Sequence, residues 1–183
     1  VLAASSSVML CWESDGTPAD GGWTTHTIDG AFTGAESVAV ADLDRDGDLD
    51  VLGASFLADD ITWWENDGTP FDGGWTTHTI SGAFDAAWSA AAADVDGDGD
   101  LDVLGAAIID DDITWWENDG TPQNGGWVTH TIDAAFDGAA DVAAADLDGD
   151  GDLDVLGAAA VADDITWWEN DGTPLNGGWI THT

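Results

Sequence analysis

The feature that most constrains the fold is an acidic stretch of nine residues that returns twice at a fixed spacing. It reads DLDRDGDLD over residues 42–50, and it recurs over residues 94–102 and 146–154, 52 residues apart each time. Aspartate stands at positions 1, 3, 5, 7 and 9 of every copy, and glycine stands at position 6. Two carboxylates about 4 Å apart repel each other by roughly 4 kcal/mol at an effective dielectric constant near 20. The stretch therefore predicts a bound cation.

Calcium suits such a stretch because it takes six to eight oxygen ligands in a flexible geometry. The glycine at position 6 permits the sharp turn around the ion. An EF-hand loop would close with a bidentate glutamate at position 12, but position 12 is Gly53, Gly105 or Gly157 here. We therefore predict about three Ca²⁺ ions, each in a loop that closes at its position 9 aspartate and joins two strands. The alternative is a solvated acidic turn without an ion.

Each repeat also predicts four β-strands, because runs of β-branched and aromatic residues alternate with Asp-Gly and Gly-Gly turn signals. The alanine runs 90–93 and 143–145 are too short for helices and belong to the first strand of their repeats. In the first complete repeat, the predicted strands cover residues 36–41, 49–56, 61–66 and 75–80.

Paired tryptophans recur in the third strand of each complete repeat, as in Trp63-Trp64. Neighbouring side chains on a strand point to opposite faces, so both faces of each sheet must be buried. A radial stack of four-stranded sheets satisfies this requirement. The predicted fold is all-β, with β-propeller blades of four antiparallel strands and about 3.5 blades of 52 residues. We expect one propeller segment over 1–183, with fifteen strands in a partial blade (1–30) and three blades (31–82, 83–134 and 135–183).

The repeat resembles the FG-GAP/VCBS family, which includes the integrin α-subunit propeller. The matching residues are Phe32, Gly34 and Ala35, the acidic stretch, and Asp50-Val51-Leu52-Gly53-Ala54, with their two later copies. The resemblance implies a propeller of seven or eight blades with Ca²⁺ in the turn between strands one and two. This chain departs from the family in blade number, since it holds about half a ring.

The resemblance also implies the calcium ligands: side chains at positions 1, 3, 5 and 9, and the backbone carbonyl at position 7. The resulting metal residues are Asp42, Asp44, Asp46, Asp48 and Asp50 in the first loop, Asp94, Asp96, Asp98, Asp100 and Asp102 in the second, and Asp146, Asp148, Asp150, Asp152 and Asp154 in the third.

Charge excludes several classes of partner. The formal net charge is −37, and Arg45 is the one Lys or Arg residue. Such a surface repels nucleic acids and anionic membranes, and no apolar run is long enough to span a membrane. It suits a saline or calcium-rich exterior that screens the charge, so we expect a secreted or cell-surface protein. Cys11 is the single cysteine, which excludes an internal disulfide and predicts a small buried residue.

No residue pattern indicates catalysis. The four histidines, one per repeat, lie in the same predicted strand of different blades, where they cannot meet in one metal site; we expect them to be structural. Trp88 is the one tryptophan outside the repeat pattern, and a local packing role is favoured over stacking on a sugar. The chain is therefore predicted not to be an enzyme.

Two classes of function remain open. The favoured one is a calcium-stabilised, non-catalytic extracellular or surface module for adhesion, assembly or ligand binding. The alternative is a lectin-like or carbohydrate-active propeller segment. The expected partners are further blades, from the same polypeptide or from another copy in a homo-oligomer or polymer, and a glycan or protein ligand. The uncovered end faces are expected to carry Cys11 and Trp12 at one end and Trp167 and Trp168 at the other.

Overall fold

The computed structural model describes residues 1–5 and 7–183. Fifteen strands and three short 3₁₀ helices form in this part of the chain, and no α-helix does. The strands are β1 (Leu2–Ser5), β2 (Val8–Ser14), β3 (Trp23–Asp29), β4 (Ala35–Ala41), β5 (Asp50–Ser55), β6 (Asp60–Asn66), β7 (Trp75–Ser81), β8 (Ala87–Ala93), β9 (Asp102–Ala107), β10 (Asp112–Glu117), β11 (Val128–Asp133), β12 (Ala139–Ala145), β13 (Asp154–Ala159), β14 (Asp164–Asn170) and β15 (Trp179–His182). The 3₁₀ helices cover Pro18–Asp20, Pro122–Asn124 and Pro174–Asn176.

The strands form four separate antiparallel meanders, which we number as blades one to four. Blade one has the order β1-β2-β3, and the other three each have four strands in chain order, β4 to β7, β8 to β11 and β12 to β15. The predicted class and the count of fifteen strands are confirmed, and the predicted strand limits in the first complete repeat agree to within one residue. Both alanine runs lie in strands, β8 and β12.

Hydrophobic clusters lie between successive blades. The first tryptophan of each pair points to the following blade and the second points to the preceding one, so Trp63 packs with Phe84 and Trp116 of blade three. Trp63 and Trp64 are both fully buried. A buried tryptophan removes about 200 Å² from water, worth roughly 5 kcal/mol before entropy costs. Burial of both faces of the inner blades is what holds the stack together.

This alternation corrects one expectation about the end faces. Cys11 is only 7% exposed and Trp168 only 1% exposed. Cys11 lies opposite Leu2, which packs in the cluster between blades one and two, and Trp168 packs against blade three. The prediction that they lie on uncovered faces is wrong. Trp12 and Trp167, which point the other way, are half-buried.

A clamp of hydrogen bonds joins blade two to the start of blade three, and blade three to the start of blade four. The Phe84 N–H donates to the Asp59 carbonyl oxygen (2.9 Å), and the Ala86 N–H donates to the Asp59 carboxylate (2.9 Å). Phe136 and Gly138 bind Asp111 in the same way, both at 2.8 Å. The phenylalanine rings then stack edge-on against the second tryptophan of their own blade. The Phe-x-(Gly/Ala)-Ala motif therefore serves as the docking end of a blade.

The last blade exposes the face that the inner blades bury. Leu147 is 45% exposed and Ile165 is 69% exposed, whereas their equivalents Leu43 and Ile61 are 1% and 0% exposed. The outward face of blade four is thus an uncovered apolar surface. None of the helices in the described residues is long and apolar enough to cross a membrane.

Candidate metal centres in the acidic loops

The three acidic stretches connect the first and second strands of blades two, three and four. Their side chains curl the backbone by accepting nearby N–H groups. In the first loop, Asp44 Oδ1 accepts the Asp46 N–H (3.1 Å), and Asp46 Oδ1 accepts the Asp48 N–H (2.9 Å). Gly47 supports the turn with φ +100°, which glycine adopts without a steric penalty. These short-range bonds fix the loop conformation.

The buried position 9 aspartate accepts one hydrogen bond from its own loop and one from the end of the third strand; we call this pair of bonds the staple. Asp50 Oδ2 accepts the Leu43 N–H and Asp50 Oδ1 accepts the Asn66 N–H, both at 2.9 Å. Asp102 and Asp154 repeat both bonds in their own blades. Each carboxylate oxygen has two lone pairs, so the staple leaves acceptor capacity for a cation.

The asparagine at the end of the third strand is a functional neighbour that sequence reasoning missed. The Asn118 side-chain amide donates to the Leu101 carbonyl of its own blade (3.0 Å) and to the Leu43 carbonyl of the preceding blade (3.2 Å). Asn170 repeats this with Leu153 and Val95. The available signal was the recurrence of Glu-Asn-Asp-Gly in every complete repeat.

Positions 1, 3 and 9 of each loop converge into a carboxylate triad. One oxygen from each residue lies within 4.8 Å of the other two, and such groups could hold a metal ion. Nine of the fifteen predicted residues are therefore brought together. The aspartates at positions 5 and 7 lie outside these groups. The triads are Asp42, Asp44 and Asp50, then Asp94, Asp96 and Asp102, and then Asp146, Asp148 and Asp154.

The electrostatics of the triads fit a cation. Burial raises the pKa of Asp50 to about 6 and that of Asp102 to about 7, against the lowering effect of the N–H groups that each accepts. Asp42 Oδ1 and Asp94 Oδ1 are buried, and no donor within residues 1–5 and 7–183 reaches either oxygen. Orphaned acceptors of this kind are costly to bury. A hard divalent cation would satisfy them, because all the convergent donors are carboxylate oxygens.

The histidines are spread over the blades, as predicted, and serve local packing. His78 Nε2 lies 2.8 Å from Glu65 Oε2, and its ring stacks on Trp63 with centroids 4.5 Å apart. The same arrangement occurs in blades three and four. Trp88 packs edge-on against Phe56 of the preceding blade (5.8 Å), consistent with the packing role.

A comparison with protein families matches the FG-GAP-like repeat over residues 53–105 and 106–157, which is more than half of the chain. Each match contains one complete acidic loop and runs from the second strand of one blade to that of the next. A search of curated proteins gives no significant match. The matched repeats, the four-stranded blades and the acidic loops agree, and the chain belongs to the FG-GAP-like repeat family.

Proposed function

We propose that the chain is a calcium-stabilised, non-catalytic repeat module of a secreted or cell-surface protein, used for adhesion, assembly or ligand binding. The observation that carries this proposal is the convergence of three carboxylates in each loop. In the first two loops, one triad residue also has a buried oxygen without a hydrogen-bond partner among the described residues. The high net negative charge supports an exterior rich in salt or calcium. The blades would correspond to residues 31–82, 83–134 and 135–183, with a partial blade over 1–30.

Each loop would hold one Ca²⁺ ion through its triad. Asp46, Asp98 and Asp150 would add a side chain, and Asp48, Asp100 and Asp152 a backbone carbonyl. An ion that binds only the folded chain stabilises it by mass action. The ion would also remove the repulsion among carboxylates that the fold forces together. Calcium would thus act as a structural element of each blade.

Isothermal titration of the chelator-stripped protein with CaCl₂, together with thermal unfolding before and after loading, tests this proposal. We expect about three sites and a large rise in melting temperature on loading. Asp96→Asn, which alters one triad, should remove one site and leave two. Asp72→Asn makes the same change in net charge at an exposed residue outside the triads, and it should leave three. Absence of saturable binding, or equal stoichiometry in the two variants, would contradict the proposal.

The uncovered face of blade four supports an assembly role with a further blade as partner. Asp163 has φ +55°, the left-handed conformation of Asp59 and Asp111, which clamp the following blade. Leu147 and Ile165 stand where inner blades bury their equivalents. A blade that opens with Phe-x-(Gly/Ala)-Ala would meet all of these groups. It would come from the same polypeptide or from another copy.

Analytical ultracentrifugation tests the assembly proposal on the 183-residue chain. We expect concentration-dependent association and binding of a dye that reports exposed apolar surface. Ile165→Asp should reduce both. Leu175→Asp is the matched control, because Leu175 is also exposed (49%) and its equivalent Gln123 contacts the preceding blade. A monodisperse monomer that binds no dye would contradict the proposal.

A further inference from the structure

Arg45 bridges two acidic loops. It occupies position 4 of the first loop, and its Nη1 donates to the Gly99 carbonyl in the second loop (3.2 Å). Its Nη2 forms an ion pair with the Asp100 carboxylate, and Asp100 is only 8% exposed. Positions 6 and 7 of the second loop therefore form a seat for a guanidinium group that approaches from the preceding blade.

The same seat recurs between the second and third loops. Gly151 and Asp152 stand at positions 6 and 7 of the third loop. Asp152 Oδ2 lies close to Gly172 in the turn after the third strand, since a Cβ added to Gly172 would be 2.9 Å from this oxygen. Asp100 Oδ2 lies in the same way beside Gly120, 3.0 Å from an added Cβ. The carboxylate is thus held alike in both seats.

The second seat has no arginine of its own. Position 4 of the second loop is Gly97, whose φ of +76° is close to the +61° of Arg45. Because the glycine has no side chain, a cleft of about 240 Å³ lies between the two loops. Arg45 is the only Lys or Arg in these 183 residues and it fills the first seat, so a guanidinium for the second seat must come from outside them. The cleft is lined by Asp94, Val95, Gly97, Gly151, Asp152 and Leu153.

We propose that this cleft binds the arginine side chain of a partner polypeptide. The seat offers a carbonyl and a carboxylate side by side, which match the planar fork of a guanidinium better than the compact charge of an ammonium. The net charge of −37 attracts a basic partner and favours its encounter. Arg45 contacts positions 6 and 7, whereas the triads use positions 1, 3 and 9. Arginine and a triad-bound cation therefore use different atoms.

Titration with Nα-acetyl-arginine amide, followed by NMR at saturating CaCl₂, tests the cleft. We expect one saturable site, and no binding of the neutral citrulline analogue. Free arginine has the same net charge, because its α-ammonium group offsets its carboxylate, so it should bind no more tightly than the amide. Tighter binding of free arginine would overturn the assignment to a polypeptide partner. Calcium stoichiometry measured on the same samples separates failure of this site from failure of the triads.

Three variants distinguish specific binding in the cleft from nonspecific attraction of arginine to the negative surface. Asp152→Asn should weaken binding about fivefold or more, because it removes the ion-pair partner. Asp72→Asn changes the net charge equally at an exposed residue outside all three acidic loops, and should leave binding unchanged. Arg45→Gly should raise the stoichiometry from one to two by vacating the first seat. Equal weakening by the two aspartate variants, or one site in Arg45→Gly, would overturn the proposal.

Discussion

In the absence of calcium, the free energy of unfolding of this protein should fall as the pH rises from about 4 to about 7. The pKa of Asp50 rises from an ordinary value of 3.8 to about 6 in the folded chain, and that of Asp102 rises to about 7, chiefly through burial. The folded chain therefore binds protons more tightly than the unfolded chain in this window. Stability conferred by the bound protons is complete below pH 3.8 and is lost as the pH passes the folded pKa values.

The size of the effect follows from the two pKa values. A difference of one pKa unit between folded and unfolded chains is worth about 1.4 kcal/mol. Asp50 should thus contribute roughly 3 kcal/mol and Asp102 roughly 4 kcal/mol between pH 4 and pH 8. This loss is of the same order as the total stability of many domains. Loading with Ca²⁺ should abolish the trend, because the ion stabilises the ionised carboxylates and competes with protons.

Urea denaturation in chelator and in CaCl₂, at pH values from 4 to 8, measures the effect. General repulsion among surface carboxylates gives a trend of the same sign, so the series should be repeated in 1 M NaCl. There the screening length falls to about 3 Å, while the burial of Asp50 and Asp102 is unaltered. A chelated protein whose stability in 1 M NaCl is independent of pH would refute the reasoning.

Two further predictions concern charge and packing. Added NaCl should stabilise the protein even at saturating calcium, because 38 acidic residues face one basic residue; an unchanged melting temperature would show that the charges are too dispersed to matter. Trp115 is fully buried, so Trp115→Phe should lower the free energy of unfolding by about 2–3 kcal/mol by leaving a cavity between blades. Trp12 is only half-buried, so Trp12→Phe should lower it by less than about 1 kcal/mol. Equal losses in urea denaturation would contradict the role assigned to the tryptophan pairs.

The repeat made the fold predictable, because strand periodicity and turn residues are local signals. The Trp63-Trp64 pair required two buried faces, and the structure supplies them between successive blades. The same alternation turns Cys11 and Trp168 inward at the two ends of the stack, where the expectation of uncovered faces is wrong. A face assignment needs the register of the strand as well as the identity of its residues.

The candidate site was predictable in its location and less so in its geometry. Spacing placed five aspartates in each loop, but the convergence of positions 1, 3 and 9 depends on how the loop backbone folds, which the spacing does not give. The contacts of Asn118 with Leu43 and of Arg45 with Asp100 join different blades. Partners so far apart in sequence leave no local pattern, and they emerge only once the blades are stacked.

These long-range bonds connect the triads in series, which predicts cooperative calcium binding. The Leu43 N–H donates to Asp50 of the first triad, and the Leu43 carbonyl accepts from Asn118, whose backbone N–H binds Asp102 of the second triad. An ion that orders the first loop should therefore also stabilise the position of Asp102 and its hydrogen bonds in the second loop. Asn118→Ala should lower the cooperativity between these loops and leave three sites. Asn66→Ala is the matched control, because the one acceptor of its amide within residues 1–5 and 7–183 is the Leu49 carbonyl of the same blade. Equal stepwise calcium affinities in the unsubstituted protein, after allowance for statistical factors, would show that the series of bonds carries no coupling.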